Sequence, residues 1–127
     1  MPARSAFDWA VIRVVPRVER EEFVNAGVVL YAPTLDWLGC RLELDRARVR
    51  ALAPDADLDE IEAHLDALRR VCAGAPDGGP VARLSRSERF HWLTAPRSTV
   101  LQVSPVHGGL CEDPTRALDD LFQRHVR

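Results

Sequence analysis

At 127 residues, of which 46% are hydrophobic and 28% charged, the chain has the size and composition of one folded domain over residues 1–127, which excludes two independent domains and a disordered segment. The formal net charge of −2 gives no bulk attraction to a polyanion, which argues against a nucleic acid or an anionic membrane as a partner. All 17 basic residues are arginine, which excludes Schiff-base catalysis and a Walker-type phosphate loop, since both need a lysine amine.

Two segments near the N-terminus are typical of neighbouring buried strands. Residues 7–15 are largely apolar on both alternating faces, and Pro16 ends the run because proline donates no ladder hydrogen bond. The charged connection RVEREE leads into a second strand over residues 23–31. Strict alternation along that strand predicts one face that holds Val24, Ala26, Val28 and Leu30, and an opposite face that holds Phe23, Asn25, Gly27, Val29 and Tyr31.

A third strand and two helices follow. Residues 37–44 alternate cleanly between apolar and polar positions and predict a one-sided antiparallel strand. Asp45 is placed to cap a short helix over residues 46–53. Asp57 begins a second helix, with Glu60 in a capping-box position, and Gly74 is expected to end that helix.

The C-terminal third is less regular. The stretch VARLSRSERFHWL is ambiguous, with at most a short helical turn expected before Phe90. Residues 98–103 are interpreted as a fourth strand, and the sequence HGG at 107–109 as a turn. Asp113, followed by a proline, is typical of the start of a closing amphipathic helix. Together these elements predict an α+β domain, with a mostly antiparallel sheet of about four strands and two or three helices packed on one face.

Polar residues within the first two strands form the first group of candidate site residues. Arg13 and Asn25 interrupt apolar faces of strands that are expected to be neighbours, and Gly27 lies near them. One interpretation is structural: Asn25 satisfies a bulge, Gly27 permits close packing against Trp9, and Arg13 is held by an ion pair with Glu22 or Glu43. The other interpretation is a polar pocket to which Arg13, Glu22 and Asn25 contribute.

A second group of candidates lies in the segment RFHWLTAPRSTVLQ, residues 89–102. Arg97 precedes Ser98, so a guanidinium, a hydroxyl and backbone amides are available for an anion such as a phosphate or a carboxylate. The part of this segment from Pro96 to Gln102 is expected to border the pocket. The alternative is that Arg97 lies on a solvated loop.

The cysteines and histidines do not compose a metal site by their spacing. His107 and Cys111 are four residues apart across a glycine pair, but no second close pair accompanies them. Cys40 and Cys72 fall on apolar faces of a strand and a helix, where a cysteine is typically a small hydrophobic residue. We therefore predict no metal and no cofactor.

Four segments carry a resemblance to a known family: WAVIRVVP, EFVNAGVVLY, APRSTVLQ and DPTRALDDLF. They resemble the bacterial DUF3037 family, a set of small proteins of unknown function, from about Phe7 to Val126. The resemblance implies no established catalytic residue. The positions that match the family pattern are Arg13, Pro16, Glu22, Phe23, Asn25, Gly27, Val28, Pro96 and Arg97.

The resemblance also implies a kind of partner. Members of the family are similar to accessory proteins encoded beside HipA-like kinases, which makes a kinase-like protein the candidate partner. The sequence leaves open whether the chain also forms a homodimer. Three cysteines, an odd number, and an N-terminus without an apolar segment and cleavage site predict a cytoplasmic protein.

Two functions of different classes follow. The first is a cytosolic, non-catalytic accessory or binding module, favoured because no catalytic constellation is recognisable in the sequence. The second is a small enzyme or sensor for an anionic ligand, a nucleotide or a carboxylate, with Arg13, Arg41 and Arg97 as anion contacts and Glu22 or His107 as acid or base. A closed pocket in which two arginines and one titratable group converge would favour the second function.

Overall fold

The apolar alternation near the N-terminus produces the central strand of an antiparallel sheet. The computed structural model describes residues 3–97 and 99–127, which form five strands and four α-helices. The strands are β1 (Ser5–Val14), β2 (Val24–Ala32), β3 (Trp37–Leu42), β4 (Leu101–Val103) and β5 (His107–Cys111). The helices are α1 (Arg46–Leu52), α2 (Leu58–Ala73), α3 (Arg86–Leu93) and α4 (Pro114–His125). The strand order is β3-β2-β1-β4. β4 and β5 both pair with the same edge of β1, β4 with its C-terminal end and β5 with its N-terminal half.

Local capping explains where the helices begin and end. The side chains of Asp45, Asp57 and Asp113 each accept a hydrogen bond from a backbone N–H in the first turn of α1, α2 and α4, as the sequence predicts. Ser85 caps α3 in the same way, so the stretch expected to hold at most a short turn contains a two-turn helix that runs through Phe90 to Leu93. Gly74 ends α2 with a positive φ of 65°, a conformation that glycine adopts without steric cost.

Helices cover the sheet on both sides, because β1 is apolar on both faces. α1, α2 and α3 pack over Ala10, Ile12 and Val14 of β1. α4 packs on the opposite face, where Phe122 is fully buried. The predicted α+β class with an antiparallel sheet is confirmed, with one more strand and one more helix than the approximate counts, and with the closing helix on the second face.

The segment after α3 departs from the expected pattern. Residues 107–109, expected as a turn, lie within β5 and pair with β1. Gly109 belongs in this strand because the ring of Phe7 occupies the space of a side chain there, with its Cε1 atom 2.9 Å from the position of a Cβ. The strand expected over residues 98–103 is limited to β4, and Ser98 lies outside the described residues.

A β-bulge in β2 reverses the predicted alternation. Arg13 pairs with Asn25 and Ile12 pairs with Gly27, so Ala26 is an extra residue without a partner. As a result, Val24 and Ala26 face the α1–α3 layer, whereas Val28 and Leu30 face α4. The strict alternation predicted for residues 23–31 is therefore wrong beyond the bulge.

Gly27 permits a close approach at this bulge. A Cβ atom at Gly27 would collide with the side chain of Leu42 and lie 2.6 Å from the backbone oxygen of Arg41. The predicted packing partner, Trp9, is wrong, since the crowding comes from β3. None of the helices in residues 3–97 and 99–127 combines the length and the apolar character needed to cross a lipid bilayer.

Candidate functional site

The bulge aligns a row of polar residues across three strands. Asn25 of β2 and Gln102 of β4 are both cross-strand partners of Arg13 in β1. Side chains of directly paired residues project from the same face of a sheet, so the three residues lie side by side. The row lies on the α4 face, at the end of the sheet where α4 terminates.

Asn25 connects this row to α4. Its Nδ2 atom donates a hydrogen bond to the backbone oxygen of His125, at 2.9 Å, and so satisfies a carbonyl at the C-terminus of the helix. Its Oδ1 atom is buried and has no hydrogen-bond partner among the described residues. The Asn25 side chain therefore bonds the end of α4 rather than the backbone of the bulge, and it keeps one acceptor unused.

The Arg13 guanidinium stacks on the Phe23 ring but forms no ion pair within the described residues. Its guanidinium lies 4.2 Å from the centre of the Phe23 ring, and its Nε atom is buried without a hydrogen-bond partner. The ion pairs expected for Arg13 are wrong, because Glu22 pairs with Arg20 and Glu43 pairs with Arg127.

Arg13 differs in this respect from every other half-buried arginine of the described residues. Each of the others bonds a carboxylate or a backbone oxygen through its guanidinium, whereas Arg13 has neither kind of partner in that part of the chain. These other half-buried residues are Arg41, Arg69, Arg89 and Arg97. Arg13 thus keeps its donors available to a group from outside the described chain.

Arg97 approaches the same region from the loop after α3. Its guanidinium donates to the backbone oxygens of Trp92, at 2.7 Å, and Leu93, at 3.0 Å, and stacks on the Trp92 ring. These bonds satisfy carbonyls at the end of α3 and hold the side chain in place. Partial burial lowers the pKa of Arg97 from its usual value, because it disfavours the charged form.

These side chains border one cavity, which we call the arginine cleft. It has a volume of about 350 Å³ and is lined by Arg13, Val15, Val18, Glu21, Phe23, Arg97 and Gln102. The ring of Phe23 is 44% exposed and Val18 is 40% exposed, so the cleft has an apolar wall open to solvent. Two guanidinium groups next to an apolar wall suit an anionic group that adjoins an apolar one.

The structure brings together Arg13, Arg97 and Gln102 from the candidates chosen by sequence, and places Asn25 beside Arg13. Sequence reasoning missed Glu21, whose positive φ of 57° follows a short 3-10 turn and depends on how the chain reverses there. It also missed Phe23 as a cleft residue. The signal was available, because an aromatic residue two positions from Asn25 on the same face predicts a neighbour of Arg13.

The remaining candidates lie outside the arginine cleft. Arg41 pairs with Asp119 and stacks on Phe122, beneath α4. His107 is exposed and its ring centre lies 4.8 Å from that of Trp9. Glu22 pairs with Arg20, and Ser98 is outside the described residues. Within the described ranges, no three His, Cys, Asp or Glu side chains are grouped as metal ligands would be.

Comparison with known proteins places the chain in a family. Residues 9–126 match the model of the family described as "Protein of unknown function (DUF3037)". The match covers nearly the whole chain, so the protein belongs to this family, as the sequence segments quoted above imply. Neither a curated protein nor a solved structure matches the chain.

Proposed function

We propose that this member of the DUF3037 family is a non-catalytic binding module, and that the arginine cleft receives an acidic segment of a partner protein. The observation that carries the proposal is the state of Arg13. It is the half-buried arginine that has neither an ion pair nor a hydrogen bond within the described residues, and it borders an open cleft.

The energetics of a half-buried charge support this proposal. Partial removal of a guanidinium from water costs free energy, which a paired carboxylate or backbone oxygen normally offsets. Phe23 holds the guanidinium from one side, and the bulge fixes the strand position of Arg13, so its donors are oriented before a ligand arrives. A carboxylate that pairs with Arg13 would gain charge-assisted hydrogen bonds without a large rearrangement of the protein.

The apolar wall of the arginine cleft indicates which residues the partner segment carries next to its carboxylate. Phe23 and Val18 present apolar surface next to Arg13, so the matching segment carries an acidic residue close to an apolar one. Glu21, on the same rim, disfavours a segment with several adjacent carboxylates, since like charges repel. The resemblance described above makes a HipA-like kinase the candidate partner protein. The odd number of cysteines makes the cytoplasm the expected compartment.

An affinity purification from native cell extract tests the proposal. The tagged wild-type protein is compared with Arg13→Gln and with Arg41→Gln, a control in which a half-buried arginine also stacks on a phenylalanine ring at 4.2 Å. We expect one stoichiometric partner whose yield falls about tenfold with Arg13→Gln and stays unchanged with Arg41→Gln, because one charge-assisted contact is worth about 1.5 kcal/mol or more. Equal recovery of the partner with both variants would contradict the role of Arg13.

A second candidate function is favoured by the volume of the arginine cleft. A cavity of about 350 Å³ with two guanidinium groups is large enough for part of a small anionic ligand, a nucleotide or a carboxylate. Thermal unfolding of the purified protein with added nucleotides and dicarboxylates tests this function. A rise in midpoint that Arg13→Gln abolishes, with no protein partner recovered from extract, would replace the partner protein with a small ligand.

A further inference from the structure

Three strands have an edge that no other strand of the described chain covers: β3 on one side of the sheet, and β4 and β5 on the other. Successive residues of such a strand direct their backbone groups alternately toward the sheet and away from it. The bonds from the Ser104 N–H to the Val11 oxygen and from the Glu43 N–H to the Ala26 oxygen define this alternation. The residues whose backbone groups face away from the sheet are Leu38, Cys40 and Leu42 of β3, Leu101 and Val103 of β4, and Gly108 and Leu110 of β5.

Side chains protect two of these three edges. The Arg69 guanidinium donates a hydrogen bond to the outward-facing oxygen of Leu42 in β3, at 2.8 Å. The Thr99 hydroxyl donates to the outward-facing oxygen of Leu101 in β4, at 3.1 Å. Pro105, which has no N–H, comes two residues after β4. Polar side chains and prolines at a sheet edge hinder the addition of a further strand.

The edge of β5 has no such protection. Within residues 3–97 and 99–127, no hydrogen bond reaches the outward-facing backbone groups of Gly108 and Leu110. The strand contains no proline, arginine, aspartate or glutamate. The Leu110 side chain is 64% exposed, the highest value among the large hydrophobic residues of the described chain. An edge of this kind is a template for another strand.

The helices leave this end of the sheet accessible. α2, α3 and α4 contact β2 and β3, which lie on the other side of β1 from β5. Ala6 and Asp8, the β1 partners of Leu110 and Gly108, are exposed. A strand can therefore approach β5 in the plane of the sheet.

The sequence of β5 is complementary to itself. In an antiparallel pair centred on Gly109, Gly108 would lie opposite Leu110 of a second copy, and the two residues would exchange both of their outward-facing hydrogen bonds. Each Leu110 side chain would then cover a glycine at which an added Cβ has no heavy atom closer than 4.0 Å. The two leucines would be diagonal neighbours, about 7–8 Å apart, which is within reach of long side chains. The exposed apolar surface of each copy would thus be covered by the other.

We propose that two copies of the chain associate through antiparallel pairing of their β5 strands, which joins the two sheets into one around a two-fold axis at Gly109. A second copy fits this edge because it presents the same unpaired backbone groups and the same exposed leucine. The paired strands are five residues long, so the interface is small and the association depends on concentration. Gly109 pairs with Phe7, about 20 Å along β1 from Arg13, so the inference does not depend on the proposed function of the arginine cleft.

Sedimentation equilibrium of the purified full chain, at concentrations from about 1 μM to about 1 mM, tests the association. The average mass of wild type should rise from the chain mass of 14.2 kDa toward twice that value. Leu110→Glu should keep the mass of one chain throughout, because two carboxylates would be brought together and partly removed from water. Leu84→Glu is the matched control, since Leu84 is 40% exposed in the loop before α3, and should associate as wild type does.

Three results would overturn the proposal. The first is a wild type with the mass of one chain at every concentration, which would leave a strand of another protein as the occupant of this edge. The second is association that persists in Leu110→Glu, and the third is an equal loss in Leu84→Glu. Thermal unfolding by circular dichroism verifies that both variants are folded, as expected for substitutions at exposed positions.

Amide hydrogen exchange measured by NMR locates the interface within the chain. The Gly109 N–H faces β1 and should be protected at every concentration. The Gly108 and Leu110 amides should exchange about tenfold more slowly in the concentrated sample, because association buries them in the new strand pair. Arg13→Gln should show the same slowing, since the arginine cleft lies apart from β5. A dimer in which the Leu110 amide exchanges equally fast at both concentrations would contradict pairing through β5.

Discussion

Arg13 and Arg41 lie on the same face of the sheet and differ in what covers them. Each guanidinium lies 4.2 Å from the centre of a phenylalanine ring. Under α4, Arg41 also pairs with Asp119 and its ring partner, Phe122, is fully buried. Beyond the end of α4, Arg13 has no such partner in the described chain and Phe23 is 44% exposed. The same pair of side chains is therefore structural beneath the helix and available for binding beyond it.

Arg41 lies beneath α4, whereas Arg13 lies beside the C-terminal end of this helix. Asn25 bonds the backbone oxygen of His125, so the helix stops directly beside the row that contains Arg13.

The largest difference in free energy of unfolding is expected between variants of Phe122 and Phe23, the rings on which the two arginines stack. Phe122→Ala should lower the free energy of unfolding by about 3–5 kcal/mol, because it leaves a cavity in the core under α4. Phe23→Ala should lower it by at most about 1 kcal/mol, since its ring is 44% exposed. Denaturation with urea measures both values. Similar losses for the two variants would show that Phe23 belongs to the core.

A substitution at Gly27, next to the bulge that aligns Arg13, should have the second largest effect on the free energy of unfolding. Gly27→Ala should lower the free energy of unfolding by about 1–3 kcal/mol, because the added Cβ would lie 2.6 Å from the backbone oxygen of Arg41. Gly108→Ala is the control, since the nearest heavy atom there is 4.0 Å away. Equal stability of the two variants in urea denaturation would refute the crowding at the bulge.

The bond between Asn25 and α4 should have a moderate effect. Asn25→Ala should lower the free energy of unfolding by about 1 kcal/mol or less, because the lost bond to His125 is partly offset by removal of an unsatisfied buried oxygen. Hydrogen exchange of the last turn of α4 should become faster. Gln102→Ala, which removes a bond to Thr99, should leave that turn unchanged. Unaltered exchange in Asn25→Ala would mean that α4 ends independently of β2.

The two arginines themselves should differ least in stability, and in opposite directions. Arg41→Gln should lower the free energy of unfolding by about 0.5–1 kcal/mol, because it removes a partly exposed ion pair. Arg13→Gln should leave it unchanged or raise it by up to about 0.5 kcal/mol, because it removes a half-buried charge without a partner. Thermal unfolding of both variants measures the signs. A clear loss in Arg13→Gln would indicate a structural role.

Sequence patterns located three of the residues that meet at the arginine cleft, Arg13, Arg97 and Gln102, but did not define how they meet. Arg13 was recognisable because a charge interrupts an apolar strand face, and Arg97 because it follows a proline in a polar loop. The ion pair expected for Arg13 was wrong because the partner of a long side chain depends on segments distant in the chain. Whether these residues bind a partner stays a prediction.

Three features could be predicted from the sequence alone: the α+β class, the antiparallel pairing around a central strand, and the starts of α1, α2 and α4. These features depend on patterns within a few residues: alternation along a strand, and a side chain that caps the N–H groups two or three positions later. Three features arise only from the packing of the folded chain: the bulge at Ala26, the placement of α4 on the second face, and the lack of a partner for Arg13 within the described residues. Each of these depends on contacts between remote segments, since the space at Gly27 is set by β3 and the last turn of α4 is held by Asn25 of β2.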